Sequence, residues 1–195
     1  TLFGLGGEAR LDGARVASPA DAIAKGMFLV PEDRKLAGLV LDLSVRENLT
    51  LAILPRLVRA GMFLDRRQEG QEARRWIERL HLRPPEPEKP VVELSGGNQQ
   101  KVVVGKALAT GPRVLLLDEP TRGVDVGARS EIYRVIDELA REGMAILVAS
   151  SDTEELVGLA DRLLVFRHGR VAVELTRPLD DKEVVAHVTG ARQVA

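Results

Sequence analysis

Two short segments carry residue types that phosphate chemistry uses. The first is Leu94-Ser95-Gly96-Gly97-Asn98-Gln99-Gln100-Lys101, placed where a helix is expected to open. Two glycines at a helix start let the backbone come close to a ligand. The free N–H groups and the positive dipole end there favour an anion, and the Ser95 hydroxyl adds a donor. Alone, such a triplet is more often a capped turn. The second segment, Val114-Leu115-Leu116-Leu117-Asp118-Glu119-Pro120, is an apolar run ending in two carboxylates. Carboxylates at the carboxyl end of a strand lie where open α/β sheets bind ligands. Asp118 can hold a hydrated Mg²⁺, and Glu119 can act as general base toward an attacking water. Alone, the pair reads equally well as an acidic turn.

Regular elements must position these segments. Asp12-Gly13 between Glu8–Leu11 and Ala14–Val16 fits a two-residue hairpin turn. Ser18-Pro19 opens a short helix that Gly26 closes, and Met27–Val30 reads as a strand. Ser44-Val45-Arg46-Glu47 is a capping box opening a helical stretch to about Glu93. There Trp76, Ile77 and Leu80 alternate with arginines and glutamates, and Trp76 and Phe63 read as packing residues. Pro84, Pro85, Pro87 and Pro90 impose an extended connector, read as a flexible joint. Beyond Leu94 come a helix from Ser95 to Thr110, a fully buried strand Val114–Asp118, and a helix from Val126 to Glu142. A strand from Met144 to Ala149, a helix near Asp152 to Ala160, a hairpin at His168-Gly169 and a last helix from Asp180 follow. Strands alternating with helices predict an α/β fold with a mainly parallel sheet flanked by helices.

Composition removes several functions. The 195 residues suffice for one domain, or one core with a small lobe. A net charge of -1 and 3% aromatics argue against nucleic-acid binding by phosphate attraction or base stacking. The absence of cysteine excludes disulfides, zinc-thiolate sites and a cysteine nucleophile. No apolar run approaches the roughly 20 residues that a membrane-spanning helix needs. His81 and His168 lack a second ligand at metal spacing and read as surface or turn residues.

Taken together, the segments resemble the ATP-binding-cassette ATPase family. Leu94–Lys101 resembles its signature motif, and Leu115–Pro120 its Walker B strand with the adjoining catalytic glutamate. Thr121-Arg122-Gly123-Val124-Asp125 is similar to its D-loop. The resemblance implies a P-loop-NTPase-like fold divided as residues 1–43 (end of the amino-terminal core), 44–93 (an inserted helical lobe) and 94–195 (signature helix, Walker B, D-loop and switch). It implies ATP and Mg²⁺ as cofactors, Glu119 as catalytic residue and Asp118 as metal residue. Ser95, Gly96, Gly97, Gln99, Asp125, Glu32 and Ser151 become nucleotide-site residues by the same resemblance. The resemblance further implies a head-to-tail pair of cassettes, with Ser95–Gly97 serving a nucleotide seated on the partner and Asp118 and Glu119 serving this domain's own.

Some family features are missing or altered. The pattern Gly-x-x-x-x-Gly-Lys-Ser/Thr does not occur, and the Gly105-Lys106 pair is followed by Ala107. Thr1–Leu5 resembles the end of the helix after that loop, so the loop and its strand are expected upstream. Glu32 stands where a glutamine is usual, and Ser151 where a histidine is usual. A serine cannot serve as a cationic phosphate sensor. Both departures resemble the second ATPase domain of bacterial sugar importers of the ribose, xylose and galactose type. Val30-Pro31-Glu32-Asp33-Arg34-Lys35, Asn98-Gln99-Gln100-Lys101 and Thr121–Gly127 carry that resemblance. It implies a fused second cassette, membrane-spanning permease subunits, an extracytoplasmic solute-binding protein as indirect partner, no nucleic acid, and a place at the cytoplasmic face of the membrane. A structural and signalling half that hydrolyses little itself stays open as the alternative. Cassette ATPases of DNA repair or of the ribosome fit less well, without a basic surplus or a long coiled-coil insertion.

Overall fold

The computed structural model describes residues 10–59 and 61–190, so Thr1–Leu5 lie outside the described residues. Asp12 and Gly13, both at positive φ, turn β1 (Arg10–Leu11) into β2 (Ala14–Arg15). Ser18 accepts the Asp21 N–H to cap α1 (Pro19–Ala24), which ends before Gly26 at φ +81°. The chain then enters β3 (Met27–Val30).

β3 is one edge of a parallel sheet ordered β3-β6-β7, with β6 (Val114–Asp118) central and β7 (Ala145–Ala149) on its far side. The register sets Leu29, Leu116 and Leu147 on one face and Val30, Leu117 and Val148 on the other. α5 (Gly96–Ala109) and α6 (Val126–Arg141) supply Val102, Val103, Ala107, Ile132, Val135 and Ile136 to the core that buries the second face. The expectation that β6 is buried throughout is corrected. Leu115 and Leu117 are buried, but Val114, Leu116 and Asp118 are only half-buried. Leu29 (45% exposed) and Leu147 (55%) lie on that open face. A continuous apolar run does not distinguish one buried face from two.

The segment after Ser44 is less uniform than its pattern implied. The capping box is present: Ser44 Oγ accepts the Glu47 N–H and Glu47 Oε2 accepts the Ser44 N–H. The helical path runs through α2 (Val45–Thr50), a 3-10 turn (Leu51–Ile53) and α3 (Leu54–Leu57). A two-stranded ribbon of β4 (Val58–Arg59) and β5 (Phe63–Leu64) then interrupts it before α4 (Arg66–Arg79). Phe63 sits on that ribbon at 67% exposure, so its expected packing role is corrected, whereas Trp76 is buried. Trp76, Leu80 and Leu49 pack against α5, where Gly105 leaves them room: a Cβ there would come within 2.6 Å of Leu49 Cδ2.

The proline connector is fastened rather than free. Val45 and Arg46 N–H groups donate to the Lys89 and Pro87 carbonyls, and Val91 N–H donates to Leu43 O. Arg46 clamps Glu88 with two bonds of 2.8 and 2.9 Å. Beyond β7 come α7 (Thr153–Leu159), the antiparallel hairpin β8 (Arg162–Arg167) and β9 (Arg170–Thr176), and α8 (Asp181–Thr189). Leu163, Val165 and Val184 form a small second core there.

Candidate functional site

The central strand delivers its two acids at the carboxyl edge of the sheet. Asp118 is the last residue of β6, paired with Ala149. Glu119 then leaves the strand at φ 47°, a left-handed conformation that costs a non-glycine residue energy. Two bonds hold it there. Its N–H donates to Ala149 O at 2.8 Å, and its Oε1 accepts the Ser151 N–H at 2.8 Å. The carboxylate is therefore aimed by a backbone group of the segment after β7. Ser151 meets Glu119 through that amide, at the position where a histidine was anticipated.

The loop after Glu119 closes on itself, with Arg122 N–H on Glu119 O and Val124 N–H on Thr121 O, each at 3.1 Å. Asp125 caps α6 by accepting the Ala128 N–H at 2.9 Å and stays exposed. Glu32, also exposed, pairs with Arg122 of the same loop. Thus Glu32, Asp118, Glu119, Asp125 and Ser151 belong to one connected set of turns.

The helix tip forms a second part of the site. Ser95 Oγ takes the Asn98 N–H at 3.5 Å and its side-chain amide at 3.0 Å. The Gly96 and Gly97 N–H groups, at the first two positions of α5, have no carbonyl to bond within the helix. Gly97 also has a packing reason to be glycine: a Cβ there would sit 2.4 Å from Ala128 Cβ of α6. Gln99 differs from expectation. Its side chain is only 4% exposed and donates inward to Val91 O at 3.2 Å, which braces the helix start and leaves little surface for a ligand. Lys106 is turned inward onto the Gly38 carbonyl, and burial pushes its pKa down.

The acids and the helix tip present groups that a divalent metal and a phosphate could use. Among the described residues no group of three or more metal-ligating side chains exists, so Asp118 does not stand in a protein cage. Mg²⁺ binds through one or two carboxylates with phosphate oxygens and waters, and the Asp118 carboxylate at the strand end is a group of that kind. The Gly96 and Gly97 N–H groups have no intrahelical acceptor and suit a phosphate, with Gly96 half-buried and Gly97 buried. The lysine and glycines that cradle phosphates on the domain's own side are not in this sequence.

Sequence reasoning missed three side chains that hold the turns together. Arg34 and Arg129 donate to carbonyls of the loop after Glu119, and Arg129 also pairs with Asp152 at 3.1 Å. Glu155, 3% exposed, accepts the Thr121 hydroxyl at 3.0 Å and the Ser150 hydroxyl at 2.5 Å. Its only sequence signal is an acid on the first turn of a capped helix, which ordinarily reads as a dipole partner. Burial pushes its carboxyl above the ordinary 4.5; the two hydroxyl bonds pull the other way, and Asp152 and Glu119 push it up further. Since the folded value is the higher one, the folded protein binds more protons above pH 4.5. Stability should therefore fall as pH rises from 4.5 through the raised value, and that loss should persist above it. Glu155→Gln is expected to flatten this fall in urea titrations repeated across that range; an unchanged slope would remove Glu155 as its source.

A parallel sheet with an acid-tipped central strand, a glycine-paired helix tip and a closed loop after the acids fit an ATP-binding cassette. The ABC transporter family profile matches residues 5–122, and the chain belongs to that family. Two relatives are ribose import ATP-binding proteins. RbsA of Burkholderia pseudomallei is 49% identical over 195 residues, covering 97% of this chain and 38% of the relative. RbsA of Geobacillus kaustophilus is 46% identical over 190 residues, covering 96% and 38%. The chain thus spans under two-fifths of the length of these relatives. Among solved structures, a nucleotide-free ATP-binding cassette superposes with TM-score 0.74 at 21% identity, over 92% of this chain and 71% of that one. A dimeric cassette in a post-hydrolysis state bound to ADP and Pi gives 0.71 at 21%, over 88% and 73%. At that identity both speak to the fold.

Proposed function

We propose that this chain is part of an ATP-hydrolysing subunit that powers import of ribose, or of a chemically similar sugar, across a bacterial cytoplasmic membrane. The observation that carries the hydrolytic part is the Glu119 carboxylate, fixed by the Ser151 N–H at the end of the central strand. The identity with ribose import ATP-binding proteins supports the choice of solute.

When bound, ATP would supply the phosphoanhydride bond and Mg²⁺ would neutralise charge on its phosphate oxygens. Asp118 holds the metal's hydration shell, and Glu119 accepts the proton of the attacking water. The N–H groups at Gly96 and Gly97, with the Ser95 hydroxyl, receive the terminal phosphate of a nucleotide seated on a second cassette. Asp125, Glu32 and Ser151 frame the acids. Residues 44–93 are the surface for membrane-spanning permease subunits, which a solute-binding protein addresses from the other side. Likeness to import ATP-binding proteins supports a peripheral place at the cytoplasmic face, and among the described residues no helix is long and apolar enough to cross a membrane.

The test uses the full-length protein with its permease in vesicles. Ribose-loaded binding protein is expected to stimulate ATP turnover several-fold and to drive ribose uptake. Turnover indifferent to every sugar tried, with no uptake, would remove the import reading. A second reading, a structural and signalling half with little hydrolysis of its own, is favoured by one feature: the Ser151 hydroxyl cannot carry charge beside the phosphate.

A further inference from the structure

We propose that Arg34 is a positioning residue that locks the loop after Glu119 onto the tip of α5; this rests on the ATPase reading above. Arg34 lies on a π-helical turn, Arg34–Gly38, whose start Asp33 caps by accepting the Lys35 and Leu36 N–H groups. Its guanidinium donates in three directions. Nη1 donates to Arg122 O at 2.9 Å, Nη2 to Gly123 O at 3.1 Å, and Nε to Gln99 Oε1 at 3.4 Å. One planar fork thus joins three segments that are distant in sequence.

Glycines leave the slot it fills. A Cβ at Gly96 would come within 2.9 Å of Arg34 Nη2 and 3.2 Å of Gly123 O. Gly123 is at φ +65°, and a Cβ there would sit 3.7 Å from Arg34 Nη1. The Glu32–Arg122 ion pair fastens the same two turns a second time. Gly96 is the first residue of α5, while Gly123 lies four residues after Glu119 and two before Asp125. Arg34 is the one side chain seen to bond both the loop and the helix start among the described residues. It therefore sets the spacing between groups that serve opposite nucleotide sites.

Spacing of this kind acts on the transition state more than on nucleotide capture. In the full-length protein, Arg34→Ala is expected to lower kcat for ATP by about tenfold, with KM within about twofold. Arg34→Lys keeps the charge but not the fork, so it should fall between. A kcat within about twofold of the parent in Arg34→Ala, or a raised KM with kcat unchanged, overturns the assignment. Thermal melts separate loss of fold from loss of spacing; if the alanine variant does not fold, the lysine variant carries the same comparison. Glu119→Gln and the parent protein run alongside. A parent without turnover sinks the ATPase reading instead, and hydrogen exchange then judges the lock. The Arg122 and Val124 amides, bonded within the loop, should exchange faster in either Arg34 variant, and unchanged exchange overturns the lock.

Discussion

Glu119→Gln in the full-length protein is expected to cut ATP turnover by about 10²- to 10⁴-fold, the range that loss of a general base produces. ATP binding should survive. The amide oxygen of glutamine can still accept the Ser151 N–H that Glu119 Oε1 accepts at 2.8 Å, so the side chain keeps its place and loses its basicity. The left-handed backbone at φ 47° is unaffected, because the change lies beyond Cβ. The decisive measurement is single-turnover hydrolysis beside equilibrium nucleotide binding. Tight binding without turnover assigns Glu119 to the chemical step. A variant that retains most of its turnover would favour the second reading, in which another cassette hydrolyses and this one completes its site. Weakened binding would mean that the carboxylate shapes the site rather than acting in it.

The acid-tipped strand and the capped helices were legible in the sequence because each signal is local. Ser18, Ser44 and Ser95 announce their helices through bonds spanning three residues. Asp118 and Glu119 could be placed because the strand before them is unmistakably apolar. What the sequence hid is long-range. Arg34 meets Arg122 across 88 positions, and no periodicity reports a contact of that kind. Glu155 reads as a helix-start acid, yet it is buried beneath Thr121 and Ser150. The ribbon at Val58–Leu64 was lost inside a helical pattern because strands of two residues are too short to show alternation. Gln99 was a nucleotide-site residue by resemblance alone, and helical rotation turns its side chain to the interior.

Gly97 separates two explanations that the helix tip otherwise leaves superposed. An alanine there would set its Cβ 2.4 Å from Ala128 Cβ, and neither methyl can turn aside. α5 and α6 must then move apart, so Gly97→Ala should lose about 1–3 kcal/mol of stability, as overpacked cores do. Turnover should also fall by about tenfold or more, because the open N–H groups shift with the helix. Ala128→Gly in the same chain removes the obstruction. The Cβ at position 97 would next meet Val124 Cγ1 at 3.6 Å and Ala128 Cα at 3.7 Å, ordinary contacts. The double variant is therefore expected to regain turnover together with most of the lost stability, because the helical glycine only moves from α5 to α6. Stability restored without turnover would carry the opposite meaning. The methyl would then be obstructing the space that a phosphate needs, and Gly97 would act by ligand approach rather than by helix packing.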